Sequence, residues 1–230
     1  MKIGIVIPTY YRKDGASYRY LERALKSIKN QEHTNYFVYL MGDNYEKEEE
    51  LEDIAKILPP NKIQVINLDI AVEREKYEEG SRELWCCGGV NATNTGNRIC
   101  LSDGIDYVCH LDHDDWWEVD HLSKINQVIE EYNPSFIFTC SSHLGSYLPK
   151  FKLDDSIIKV NPRPYDMVRS SSCLNLKKLN IPYRDTLIET GISTPSDADL
   201  WERLNKTINE QNLESYNISS ITCNHTEEGH

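Results

Sequence analysis

The stretch Leu111-Asp112-His113-Asp114-Asp115-Trp116-Trp117 crowds three carboxylates at the end of an apolar run. Like charges held that close raise one another's pKa unless something positive lies among them. Oxygen-only ligands with room for water suit Mg²⁺ or Mn²⁺, ions that in turn hold substrate phosphates. The same residues also suit a plainer role, an acidic turn in which Asp115 or Glu118 caps the next helix. The cluster by itself leaves both readings open.

Its surroundings narrow the choice. Residues 2–8 form a short β-branched run ended by Pro8, which predicts a strand buried on both faces. Leu21, Ala24, Leu25 and Ile28 then recur at i, i+3, i+4 and i+7, the stripe of an amphipathic helix. Residues 36–41 read as a second strand, closed by Gly42-Asp43-Asn44, and Leu51, Ile54, Ala55 and Leu58 as a second helix stopped by Pro59-Pro60. A third strand is expected over 63–68, a helix over 91–101 and a fourth strand over 107–111. Residues 71–87 carry many charges without a period and read as a surface excursion. A further helix face at Val119, Leu122, Ile125 and Ile129 precedes a strand at 136–138. Beyond 140 the pattern loosens, apart from one good helix at 197–208.

Strands separated by helices imply right-handed crossovers, a mainly parallel central sheet flanked by helices and hence an α/β fold. Ligands of such sheets lie beyond the carboxyl ends of the strands. That rule gathers Pro8-Thr9-Tyr10-Tyr11, Asp43-Asn44 and the Asp112–Asp115 turn onto one rim.

Composition sets outer bounds. The chain has 230 residues, 39% hydrophobic and 27% charged, a globular balance for which one domain over 1–230 is the default. Its net charge of −12 argues against nucleic acid or an anionic membrane as partner, since both need a basic face. No run reaches the ~18–20 apolar residues of a membrane span, and the start lacks a signal-peptide pattern. The seven cysteines are odd in number and never spaced C-x-x-C, so a reducing, cytoplasmic setting is expected.

Five segments, in order, resemble family 2 glycosyltransferases. Gly4-Ile5-Val6-Ile7-Pro8-Thr9-Tyr10-Tyr11-Arg12 is similar to the family's opening strand, and Asp43 falls where the family carries an Asp after its second strand. Gly88-Gly89-Val90-Asn91-Ala92-Thr93-Asn94-Thr95-Gly96 resembles the small-residue segment Ala-Arg-Asn-x-Gly. Leu111-Asp112-His113-Asp114-Asp115 matches Leu-Asp-x-Asp-Asp, and Ser196-Asp197-Ala198-Asp199-Leu200-Trp201-Glu202-Arg203 resembles Glu-Asp-x-Asp-Leu-Trp-x-Arg. Two departures stand out: the usual Arg is Thr93, and the usual Glu is Ser196.

The resemblance implies a GT-A fold with a nucleotide-sugar-binding half, 1–117, and an acceptor-side half, 118–230. It implies that Pro8, Thr9, Tyr10 and Asp43 line the nucleobase and ribose pocket, and that Asn94 contacts the donor. Asp112 would touch the ribose or a metal water, and Asp114 would ligate a Mn²⁺ or Mg²⁺ bridging two phosphates, with His225 as a late metal or diphosphate ligand. Asp197 would be the general base. Asp199 is its rival, but a helix places the two about 200° apart, and Asp197 stands at the helix start. The expected reaction inverts the anomeric carbon while moving a hexose or deoxyhexose from a UDP-sugar to a glycan hydroxyl.

Softer candidates remain. Trp116, Trp117 and Trp201 offer faces to sugar rings or pack in the core, and Arg163, Arg169 and Arg184 meet phosphate or solvent. Two other functions share the expected architecture. A sugar-nucleotide pyrophosphorylase would open with a Gly-rich basic loop, whereas the first glycine after Pro8 is Gly15. A non-catalytic glycan- or nucleotide-binding module would have no use for both Asp114 and Asp197.

Overall fold

The computed structural model describes residues 1–226. In chain order the elements begin β1 (Ile3–Thr9), α1 (Ala16–Lys29), β2 (Tyr36–Asp43), α2 (Glu48–Ala55) and β3 (Ile63–Leu68). Two short helices, α3 (Val72–Lys76) and α4 (Arg82–Cys87), precede α5 (Val90–Ser102), β4 (Tyr107–His110), β5 (Trp116–Trp117) and α6 (His121–Tyr132). Then come β6 (Phe136–His143), β7 (Ser146–Leu148), β8 (Ile157–Lys159), β9 (Ser172–Asn175), α7 (Thr186–Thr190), α8 (Ser196–Glu210) and β10 (Ser215–Asn224).

One mixed sheet runs through the molecule in the order β3-β2-β1-β4-β9-β6-β10-β5, with β7 on β6 and β8 on β10. Its first four strands are parallel, as are β6 and β10. β9 slots between β4 and β6, antiparallel to both, and joins the two parallel blocks.

Every residue of β1 is buried, and its side chains alternate between two cores. Ile3, Ile5 and Ile7 pack beneath the α1 stripe of Leu21, Ala24, Leu25 and Ile28 and against Leu122 and Ile125 of α6. Val6, on the other face, shares a core with Met41, Val108 and the Leu200, Trp201 and Leu204 face of α8. Helix α5 comes so close to the sheet that a Cβ on Gly96 would lie 2.6 Å from a Val6 methyl. α5 itself starts from Gly89 in the left-handed region, φ 77°.

The charged stretch 71–87 differs from the surface excursion expected of it. It folds into α3 and α4, and Glu73 is buried there. Helices of five and six residues are too short to show a period, so the pattern gave no sign of them.

Two pairings after residue 140 build the rim. Cys109 faces Cys173 in the antiparallel β4–β9 ladder, so the residues just before β9 lie beside those just after β4. Likewise Asn224 faces Trp116, which carries His225 and Thr226 back to the acidic turn.

Candidate active site

The acidic turn closes on itself through the Asp115 N–H, which donates to the Asp112 carbonyl at 3.0 Å. A single 3₁₀ turn, Arg169–Ser171, holds it from the side. Arg169 Nε donates to Asp112 Oδ1 at 2.7 Å, and the same oxygen takes a second bond from the guanidinium. Ser170 Oγ accepts from the Asp112 N–H at 2.9 Å and donates to Asp115 Oδ2. Asp115, fully buried, also accepts from His225 Nδ1 at 3.1 Å and from the Thr226 N–H at 2.9 Å.

The three carboxyls therefore have different environments. Burial opposes the Asp112 charge, but Arg169 outweighs it and holds that carboxyl below its ordinary value. Burial and the charges of Asp115 and Asp112 push Asp114 up to about 7. Burial also works against a charged His225, yet the hydrogen-bonded Asp115 raises it to about 9. Negative charge thus accumulates at Asp114, where an added cation would do most to relieve it.

The second part of the rim lies at the ends of β1 and β2. Thr9 Oγ1 is hydrogen-bonded to His113 Nδ1 at 2.8 Å, and the His113 ring stacks on Tyr10 with centroids 5.3 Å apart. Pro8 is the atom group nearest to a Cβ built on Gly89, so the start of α5 closes over β1 here. Asp43 is buried, and among the described residues neither of its carboxylate oxygens has a hydrogen-bond partner. Arg74 from α3 forms an ion pair with it at 3.4 Å and lies over the Tyr10 ring, 3.2 Å from its centroid. Burial nevertheless outweighs Arg74 and leaves the Asp43 carboxyl raised. Beside it, Glu73 is pushed up to about 7 by burial and then by Asp43.

The third part is the start of α8. Asp197 is half-buried, accepts from the Ala198 N–H at 2.7 Å, and is raised by burial against the opposing charge of Arg169. Asp199, buried, is bound by Arg184 at 2.6 and 2.9 Å and by Arg203 at 2.8 Å. Arg169 connects this side to the acidic turn, because it also lies over the Tyr183 ring at 5.8 Å. The Tyr183 hydroxyl meets His110 Nδ1 at 3.3 Å, and His110 Nε2 meets Asn97 Oδ1 at 2.9 Å. Burial drives His110 down to about 3, so the ring is neutral and its Nε2 carries the proton.

Asn94, the remaining sequence candidate, spends its amide on the Tyr183 backbone. Its Nδ2 donates to the Tyr183 carbonyl at 2.8 Å and its Oδ1 accepts from the Tyr183 N–H at 2.9 Å. Trp117 and Trp201 are buried, and Trp116 lies under Arg23 at 4.3 Å. Of the three arginines considered, Arg169 pairs with Asp112 and its charge opposes the rise of the Asp197 carboxyl, while Arg184 serves Asp199.

Three contributors escaped the sequence reading, Arg74, Glu73 and Ser170, whereas alternation along the strand already turns the His113 side chain away from the neighbouring carboxylates. Ser170-Ser171-Ser172 carried a clue, since small polar residues mark a buried turn. Arg74 and Glu73 carried none.

The donor set fits a divalent cation of a particular kind. No group of three or more His, Cys, Asp or Glu side chains among the described residues forms a metal cage by itself. Mg²⁺ and Mn²⁺ need none, since one or two carboxylates plus water and substrate phosphates suffice. Asp114 and Asp112 supply that minimum.

Comparison with solved structures first defines the class. The S. aureus TarS fragment 1–349 in complex with UDP superposes with a TM-score of 0.70 at 15% identity, over 98% of this chain and 60% of that one. The same fragment with UDP-GlcNAc gives 0.70 at 14% identity, over 99% and 59%. A mannosyltransferase from Pyrobaculum calidifontis in complex with GDP-Man and Mn²⁺ gives 0.60 at 12% identity, over 99% and 58%. The fold is that of the GT-A glycosyltransferases, and this chain spans about three-fifths of the length of those structures. No family model matches the sequence. A glycosyltransferase of Acanthamoeba polyphaga mimivirus, R139, is 36% identical over 238 aligned residues, covering all of this chain and 95% of that one. The chain belongs to the glycosyltransferases. No helix among its described residues is long and apolar enough to cross a membrane.

Proposed function

We propose that the protein transfers a hexose or deoxyhexose from a UDP-sugar to a glycan hydroxyl, with inversion and with the help of Mn²⁺ or Mg²⁺. The observation that carries this reading is the sharing of one rim by two unlike acids: Asp114, crowded by carboxylates, and Asp197, raised by burial across Arg169. Residues 1–117 would hold the donor. Its base would lie by Thr9 and Tyr10, with Asp43 accepting a ring N–H through an oxygen that has no other hydrogen-bond partner. Arg74 beside it supplies the donor that a base carbonyl requires. The UDP and UDP-GlcNAc complexes of TarS support uracil as that base, and the GDP-Man complex makes guanine the competitor to test.

At the reacting carbon, the acceptor oxygen forms its bond as the bond to the diphosphate oxygen breaks. The acceptor hydroxyl proton passes to the Asp197 carboxylate, a transfer worth typically 10²–10⁴-fold in rate. One base facing away from the leaving group makes the displacement single and in line. Asp114 and Asp112, with His225, would hold a divalent cation, which would supply positive charge for a departing diphosphate. Arg169 keeps Asp112 ionised and in place. The seven buried free thiols support a reducing, cytoplasmic setting for this chemistry.

The test is release of nucleoside diphosphate from a panel of UDP-, GDP- and TDP-sugars with Mn²⁺. Slow release from a UDP-sugar, lost in Asp114→Asn, is expected. Tight nucleotide binding without release from any donor would leave a binding module.

A further inference from the structure

Two acids are buried where β2 ends and α3 begins: Asp43 is 2% exposed and Glu73 is 4% exposed. Arg74 pairs with Asp43 at 3.4 Å. Glu73 has a different partner. Its Oε1 accepts from the Asn91 N–H at 3.0 Å, in the first turn of α5. Its Oε2 is buried and, among the described residues, has no hydrogen-bond partner. A helix cap would explain the Asn91 contact but not the charge balance around it.

The groups that face Glu73 leave it short of positive charge. β2 contributes Asp43, and the start of α7 contributes Asp185, which Lys76 and Tyr77 already hold at 2.8 Å each. α5 contributes the neutral Asn91 N–H. α4 contributes the Cys87 thiol, which burial and then nearby carboxylates, Glu73 among them, push up to about 12. On α3 itself, Arg74 is shared between Asp43 and the Tyr10 ring, and Glu75 works against the Asp43 charge. Two buried carboxyls thus meet one guanidinium, and a buried carboxyl without a counter-charge keeps its proton. Arg74 favours the ionised form of Asp43, whereas burial and then Asp43 itself disfavour that of Glu73. The one proton of the pair belongs on Glu73.

We propose that Glu73 is a positioning residue for the donor: as a neutral acid it leaves Asp43 ionised to accept the N–H of the base, and the base binds with Glu73 protonated. The inference rests on the reading of Asp43 as that acceptor. A base closing over Asp43 removes more water from the pair, so Glu73 holds its proton more firmly in the complex than in the free protein. Where Glu73 is ionised beforehand, binding takes a proton from solvent. By linkage, affinity is full below the Glu73 value of about 7 and is lost as pH rises through it.

Uridine is the probe, because it carries no phosphate and so leaves Asp112, Asp114 and His225 out of the measurement. Calorimetry in two buffers of unlike protonation enthalpy counts the protons taken up. Uridine affinity is expected to fall about tenfold between about pH 6.5 and about pH 8.5, with about half a proton or more taken up per uridine midway. Glu73→Gln keeps an oxygen for the Asn91 N–H but never ionises. It should restore most of the affinity at the higher pH, with neither the fall nor the uptake. A flat profile without proton uptake in the unmodified protein would reduce Glu73 to a helix cap and overturn the proposal. Uptake that persists in Glu73→Gln would do so too. Uridine bound equally well by Asp43→Asn, or not bound at any pH, would instead remove the reading of Asp43 on which the role of Glu73 depends.

Discussion

Asp197 and Asp199 stand two positions apart at the start of α8 and have unlike partners. Asp199 is bound by two arginines, so Asp199→Ala leaves both without their partner and should lower stability by about 2–3 kcal/mol. Asp197 has one short bond to its own helix, so Asp197→Asn should leave the melting temperature nearly unchanged. Its transfer rate should fall by about 10²–10⁴-fold while UDP still binds. Equal losses of stability in the two variants would reverse the assignment. Asp43 supports a companion prediction. A buried carboxylate without hydrogen-bond partners is costly to the fold, so Asp43→Asn should keep or raise thermal stability while weakening UDP at least about tenfold. At this scale the sequence showed that only one of the α8 acids can face a site, because helical geometry alone requires it. It could not show which, since Arg184 approaches Asp199 from a loop whose path no periodicity records.

At the scale of elements, the βα alternation to residue 140 was legible because its longer helices bury one face and repeat their period over two or more turns, while its strands are short apolar runs between them. α1 buried its predicted stripe, and α6 buried Leu122, Ile125 and Ile129 but not Val119, which precedes the helix and is exposed; β1, β2 and β4 ended where the rim needed them. What the pattern lacked was β9. Four residues long and buried on both faces, it carries no alternation, and its antiparallel insertion is what sets Arg169 and Ser170 beside Asp112. α5 provides the test of how tightly these elements hold the rim. A Cβ at Gly96 would lie 2.6 and 3.1 Å from the two Val6 methyls and 3.2 Å from Met41. None of these can retreat, because they belong to strands buried on both faces. Gly96→Ala should therefore cost about 1–3 kcal/mol by urea unfolding, although alanine favours helix over glycine. A gain in stability would show that α5 can move away from β1.

For the whole molecule, the charge of −12 poses the question of how a diphosphate is held at all. Much of the excess is solvated, as in the exposed first turn of α2 with Glu48, Glu49 and Glu50, and does not act on the rim. Arg23 donates to the Asp114 carbonyl, and four further arginines at the rim are engaged by carboxylates: Arg74 by Asp43, Arg169 by Asp112, Arg184 and Arg203 by Asp199. Their charge is largely spent before a substrate arrives, and Asp114 adds a carboxyl that burial and its neighbours already make costly to ionise. A diphosphate entering such a site is expected to bring a cation, since recruiting any of those four arginines breaks an existing ion pair. Removing divalent ions with a chelator should therefore weaken UDP by at least about tenfold and leave uridine, which lacks the phosphates, within about twofold. Added monovalent salt should not restore UDP binding, because screening acts on exposed charges and these are buried. Calorimetry of both ligands with Mn²⁺ and with chelator decides the matter. UDP bound equally tightly without metal would mean that Arg169 releases Asp112 to take the phosphates, and Arg169→Ala would then abolish binding that Asp114→Asn leaves intact.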